Sequence, residues 1–214
     1  MDPALEALEA RVRGAAATGT ALRIRGGGTK DFYGACAVDG TAPGDRLVTT
    51  AYAGVVDYDP TELVITARAG TLLAEVERTM RDAGQMLGFE PPHFGAGATL
   101  GGAIAAGLSG PRRPYAGAAR DFVLGVRVLD GRGDDLAFGG RVMKNVAGFD
   151  VARLMTGALG TLGVVTEVSL KCLPLPRTEA TRAFEMSADE AIRCVNEWGG
   201  QPIPLTATYF PAGR

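Results

Sequence analysis

Arg23-Ile24-Arg25-Gly26-Gly27-Gly28-Thr29-Lys30-Asp31 is the most informative stretch of the chain. Leu22 to Arg25 read as a short β-strand, and three consecutive glycines favour neither regular element, so the strand must open into a turn. Without side chains, successive backbone N–H groups can face one concavity, which suits a phosphate, and Lys30 adds a point charge. The run lacks the Gly-Lys-Ser/Thr ending of a P-loop, so a purely structural turn stays open as the alternative.

A second glycine-rich region runs from Gly95 to Gly110 and contains Ala98-Thr99-Leu100-Gly101-Gly102-Ala103-Ile104-Ala105-Ala106-Gly107-Leu108-Ser109-Gly110. It approaches the dinucleotide fingerprint Gly-x-Gly-x-x-Gly, but Leu100 stands at the third glycine and Pro91-Pro92, not a strand, leads toward it. What remains is a helix start rich in Gly and Ala, where free N–H groups and the helix dipole favour an anion. Close helix packing explains the same composition. Gly107-Leu108-Ser109-Gly110 also resembles a nucleophile turn, yet it departs from Gly-x-Ser-x-Gly and only His93 is available as a base.

The third region is Met143-Lys144-Asn145-Val146-Ala147-Gly148-Phe149-Asp150, followed by Gly157-Ala158-Leu159-Gly160-Thr161-Leu162-Gly163-Val164-Val165-Thr166-Glu167. No nucleophile or general-base pair stands out in it. Gly157, Gly160 and Gly163 suit either a flat ligand or the packing of a helix on a strand.

The elements around these regions follow from periodicity and punctuation. Pro3 to about Ala17 carry Leu5, Leu8 and Val12 at helical spacing, closed by Gly19. Leu47 to Thr50, Val55 to Tyr58 and Leu63 to Ala67 are strand-like runs. Thr71 is the expected N-cap of a helix with Leu72, Leu73, Val76 and Met80 on its apolar side and Gly84 at its end. Val123 to Leu129 and Leu136 to Phe138 predict a hairpin across Asp130-Gly131. Val164 to Leu173 reads as the strongest strand, stopped by Pro174 and Pro176. Beyond this boundary, Thr181 to Phe184 and Leu205 to Phe210 read as strands flanking a helix that begins with the capping-box pair Ser187 and Glu190.

Glycine supplies 31 of 214 residues, roughly twice the usual share of about 7 %, while the hydrophobic fraction of 46 % is that of an ordinary globular chain. A net charge of −2 gives no broad footprint for nucleic acid or an anionic membrane. The start of the chain lacks a basic leader with an apolar run, and no stretch reaches the roughly 18 apolar residues of a membrane span. The expected location is therefore cytoplasmic. Cys36, Cys172 and Cys194 are widely spaced and read as small buried hydrophobes rather than a disulfide or iron–sulfur framework. With one histidine, His93, no metal site is expected.

In this order, the three glycine regions resemble the FAD-binding domain of the vanillyl-alcohol oxidase and p-cresol methylhydroxylase (PCMH) superfamily. Arg23 to Phe32, Phe89 to Gly95, Ser109 to Tyr115, Met143 to Asp150 and Gly160 to Glu167 resemble most specifically the FAD-binding E-type subunits of glycolate oxidase, a glycolate dehydrogenase complex. The resemblance implies an α+β fold: a PCMH-type FAD-binding domain of two α/β subdomains over residues 1–176. Residues 177–214 would then begin an α+β cap domain that is truncated here.

It further implies non-covalent FAD, because Thr29 stands where some relatives carry a flavin-tethering histidine. Arg25, Gly26, Gly27, Gly28, Thr29 and Lys30 would meet the pyrophosphate. Thr99, Gly101, Gly102, Gly107 and Ser109 would line the flavin end and the pyrophosphate, with Gly163 and Val165 near the strand that closes the site. The implied reaction is oxidation of glycolate, a small 2-hydroxy acid, by hydride transfer to flavin. The implied partners are a larger homologous flavin subunit and an iron–sulfur subunit, associated peripherally with the inner membrane. Arg112 and Arg113 are candidates for binding the substrate carboxylate but suit the surface as well, and no catalytic residue is assigned. The alternatives are a flavin-binding or flavin-free scaffold subunit that supports a catalytic homologue, and an FAD-dependent cell-wall precursor reductase.

Overall fold

The computed structural model describes residues 2–34, 45–140 and 149–211. Helix α1 (Pro3–Thr18) starts where Asp2 accepts a hydrogen bond from Ala4 N and Pro3 supplies a preset φ, and it stops where Gly19 turns left-handed at φ 66°. Its stripe of Leu5, Leu8 and Val12 is buried against Leu47, Tyr52, Leu129 and Val164, forming the smaller of the two apolar clusters among the described residues. Arg13 pins the helix from the other side, pairing with Glu9 and donating to Gly133 O at 3.0 Å.

Strand β1 (Leu22–Arg25) pairs in parallel with β2 (Asp45–Val48). β2 lies closer to the N-terminus than the expected Leu47 to Thr50. The register matches Leu22 with Asp45, and Thr49 leaves the ladder into a turn closed by Tyr52 N donating to Thr49 O.

The main sheet has five strands, β3 (Val55–Asp59), β4 (Val64–Arg68), β6 (Val123–Leu129), β7 (Asp135–Gly139) and β8 (Val164–Lys171). Their order is β3-β4-β8-β6-β7, every neighbour antiparallel. The predicted hairpin is β6 and β7, and its long loop is organised by Asp130, whose carboxylate accepts from Arg132 N at 2.8 Å and Asp134 N at 3.0 Å. These bonds, that from Asp134 foremost, hold the Asp130 carboxyl below its usual range.

Helices α2 (Leu73–Asp82), α3 (Leu100–Ala106) and α5 (Val151–Met155) join the sheet in the larger apolar cluster, with Phe89, Ile104, Val168 and Leu170 fully buried. Thr71 is not the N-cap of α2. Leu72 holds that position without a side-chain cap, while the buried Thr71 hydroxyl donates to Arg68 O at 2.7 Å and accepts from Gly54 N at 2.8 Å. A loop that needed a buried hydrogen-bond partner took the hydroxyl that the helix would otherwise use.

The strand expected to reach Leu173 ends at Lys171; Leu173–Pro174 (β9) instead pairs with Gln85–Met86 (β5). Between them Cys172 is fully buried, 3.4 Å from Met80 Sδ, and burial pushes its thiol up to about 12. Cys36 lies outside the described residues. Iodoacetamide at mildly alkaline pH is expected to leave Cys172 unlabelled in the native protein and to label it after denaturation, as read by peptide mass spectrometry. Native labelling would contradict the burial.

A short helix α4 (Arg113–Ala116) and a 3-10 turn at Ala119–Asp121 connect α3 to β6. Helix α6 (Ala188–Gly199) begins at the expected capping box, with Ser187 N donating to Glu190 Oε2 at 2.8 Å. The strands expected at Thr181 to Phe184 and Leu205 to Phe210 do not form. A β-prone run needs a ladder partner, and among the described residues no strand lies beside either run.

Candidate functional site

A cleft opens where the loop after β1, the start of α3 and the beginning of β8 converge. Arg25, Gly26, Gly27, Gly28, Thr29 and Lys30 line it from the first side, Thr99, Gly101 and Gly102 from the second, and Gly163 and Val165 from the third. Segments far apart in sequence are thus brought together. Gly107 and Ser109 do not line this cleft. Gly107 ends α3 at φ 64°, with Gly157 backbone 2.9 Å from where a Cβ would lie. Ser109 Oγ accepts from Ala119 N at 2.9 Å. Ser109 therefore follows a helix C-terminus rather than the strand-to-helix elbow of a hydrolase nucleophile.

The three glycines of the first loop are required by packing. A Cβ on Gly26 would stand 2.3 Å from Thr99 Oγ1, and one on Gly27 only 1.5 Å from Gly97 O. Gly28 adopts φ 73° beneath the Arg25 guanidinium, whose Nη2 lies 2.1 Å from the added atom. The loop is therefore interlocked with the segment Gly95 to Thr99. Among the described residues, the backbone N–H groups of Gly27, Gly28, Thr29 and Lys30 donate to no protein acceptor, so they remain available to a ligand.

The start of α3 is different. Leu100 N donates to Thr71 O, Gly101 N to Ala69 O, Gly102 N to Thr99 Oγ1 and Ala103 N to Thr99 O. The expectation of free N–H groups at this helix start is thus overturned. The first two donors bind α3 to the segment after β4 and the next two go to the N-cap residue Thr99, and a Cβ on Gly101 would meet Ala69 Cβ at 2.7 Å. Gly101 and Gly102 face the cleft as small surfaces, not as anion donors.

Charge in the cleft is partly committed. Arg25 Nε donates to Asp31 Oδ2 at 2.8 Å, and Lys30 Nζ lies 3.4 Å from His93 O and 5.8 Å from the Phe94 ring centre. Burial lowers the Lys30 ammonium below its ordinary range. His93 Nε2 sits 3.1 Å from both Glu77 oxygens, which makes it a brace between α2 and the Pro91-Pro92 segment. Arg112 is likewise engaged, held by Glu90 at 2.7 Å and by Glu179. Arg113 is exposed in α4.

Met143 to Gly148 of the third motif lie outside the described residues. Asp150 caps α5 by accepting from Arg153 N at 3.2 Å. Of the later glycines, Gly157 packs α3 through its N–H to Ile104 O, whereas Gly160 and Gly163 reach the cleft. Sequence reasoning missed Thr49, Met155 and Leu159 as cleft walls. Thr49 and Met155 lie outside the three glycine regions, and the packing of β2 and α5 against the loops brings them in, whereas Leu159 stands within the third region beside Gly160. Arg23 was within the decisive stretch but unassigned, and it also lines the cleft.

The FAD binding domain family model matches residues 4–138. Over 205 residues the chain is 49 % identical to glycolate oxidase subunit GlcE of Escherichia coli (strain K12), covering 96 % of this chain and 57 % of that protein. Glycolate oxidase subunit GlcD of Bacillus subtilis (strain 168) is 32 % identical, over 87 % of this chain and 39 % of its own length. The chain therefore spans little more than half the length of the first relative. An alkyldihydroxyacetonephosphate synthase structure superposes with a TM-score of 0.65 at 23 % identity, over 81 % of this chain and 31 % of that one, and shares the fold.

Proposed function

We propose, because this chain belongs to the FAD-binding domain family, that it is the flavin-binding part of a 2-hydroxy-acid dehydrogenase subunit of the glycolate oxidase type. The observation that carries the reading is the 49 % identity to glycolate oxidase subunit GlcE over 96 % of this chain. The cleft fits a dinucleotide in its donor set. It presents unspent backbone N–H groups on the loop from Gly27 to Lys30, together with Arg23, Arg25 and Lys30 against a single carboxylate, Asp31, among the described lining residues. That excess of positive charge stands in a chain whose net charge is −2.

In this reading the loop N–H groups hold the pyrophosphate, and Arg25 braces the loop through Asp31. Thr99, Gly101, Gly102, Gly163 and Val165 provide a close wall without charge, and Gly107 and Ser109 support the cleft from behind. Thr29 cannot form the tether of a histidine, so binding is reversible. Bound FAD would supply the two-electron acceptor for oxidation of glycolate to glyoxylate. Asp31 is committed to Arg25, so it is not assigned as a base.

We assign residues 1–176 to the FAD-binding domain and the segment from residue 177 to a cap, a division supported by burial: beyond residue 176, Ala191 is the only buried residue among those described. We further propose a larger homologous flavin subunit and an iron–sulfur subunit as the route for electrons. The place of action proposed is the cytoplasm, at the inner membrane through the complex; no helix among the described residues is long and apolar enough to cross a membrane.

The test is anaerobic stopped-flow absorbance on the whole protein, alone and with its partner subunits. The expected result is a yellow protein whose flavin bands bleach with glycolate in the assembled complex and stay unchanged with NADPH. A colourless protein that takes up no FAD would point to a scaffold, and bleaching by NADPH to a reductase.

A further inference from the structure

Among the described residues three cations, Arg23, Arg25 and Lys30, line the cleft, and two are already occupied. Arg25 is paired with Asp31, with Nε and Nη2 both 2.8 Å from Oδ2. Lys30 is tied to the His93 carbonyl and Phe94. Arg23 is half-buried, lines the same cleft, and among the described residues has no ion pair or hydrogen-bond partner for its guanidinium. A half-buried guanidinium loses part of its hydration, and nothing from the described protein replaces it.

Position adds to this. Side chains alternate along a strand, so Arg23 and Arg25 of β1 share a face, about 7 Å apart along the chain. Arg25 folds forward over Gly28. Arg23 therefore stands one step behind the unspent N–H groups, on the cleft side and outside the Arg25–Asp31 pair.

We propose that Arg23 supplies the guanidinium that pairs with the diphosphate of the bound dinucleotide, while Arg25 and Lys30 hold the loop that presents its N–H groups. This rests on the flavin reading above. A guanidinium fork matches two phosphate oxygens at once, which an ammonium does not. Arg23 is thus a binding residue, and Arg25 and Lys30 are positioning residues.

Titration of the whole apoprotein with FAD, followed by flavin fluorescence at several salt concentrations, tests the assignment. Arg23→Gln is expected to raise the Kd for FAD by about tenfold and to flatten its salt dependence. Arg23→Lys, which keeps the charge and loses the fork, is expected to fall between. Arg120→Gln, on the exposed 3-10 turn, is expected to match the wild type. Thermal melts of the apoproteins are expected to coincide, because Arg23 braces nothing in the described protein. If Arg23→Gln binds FAD with the wild-type Kd and salt slope, the assignment is overturned and the flavin reading stands. If the wild-type protein takes up no FAD, both fall.

Discussion

Gly27→Ala is expected to abolish FAD uptake and to cost at least about 3 kcal/mol of stability, since the overlap is far more severe than ordinary overpacking. The added methyl would stand 1.5 Å from Gly97 O and 2.6 Å from Gly97 C, backbone atoms that cannot rotate aside. Retreat of Gly97 would drag Thr99, whose hydroxyl caps α3 and leaves no room for a Cβ on Gly26. Relief at one point therefore disturbs both walls of the cleft. Thermal unfolding and FAD titration of the variant measure the two effects. Gly14 is the matched control, because a Cβ there meets nothing within 4 Å and alanine favours the interior of α1. A Gly27→Ala protein with wild-type melting and flavin affinity would refute the interlocked-loop account.

Phe89→Ala is expected to cost about 3–5 kcal/mol, the range for removing a buried aromatic ring. Phe89 has no exposed surface, its ring centre lies 5.6 Å from that of Phe122, and its carbonyl accepts Gly110 N at 2.9 Å. The side chain fills space beneath the sheet, while the backbone bond holds the segment after α3. Truncation empties the first and leaves the second. Urea unfolding of the apoprotein is expected to show a lower midpoint at an unchanged slope, with FAD affinity reduced far less than by Gly27→Ala. A midpoint equal to the wild type would show that Phe89 is not part of the stabilising core.

These two positions differ in how far they could be read in advance. The glycine run announced a turn, and with the later glycine regions it carried the resemblance that implied an FAD site. Yet the partner that makes Gly27 indispensable is Gly97 O, and no local pattern names it. The N-terminal stretch of α3 shows the same limit more sharply. Gly and Ala at a helix start suggest free donors, but Thr71 O and Ala69 O consume the N–H groups of Leu100 and Gly101, and Thr99 takes those of Gly102 and Ala103. The first two acceptors arrive only when β4 and α3 pack.

Sequence alone determined the elements whose signals are complete within a few residues. Pro3 and Gly19 bound α1, Ser187 and Glu190 start α6, and alternating apolar residues mark β8, because caps and periodicity act at short range. Tertiary structure decided what depends on distant partners: the strand order β3-β4-β8-β6-β7, the reassignment of the Thr71 hydroxyl, and the absence of strands at 181–184 and 205–210. It also decided which cleft donors are free. A backbone N–H or a guanidinium is available to a ligand only if the fold has not already given it an acceptor, and that is settled by contacts between residues far apart in the chain.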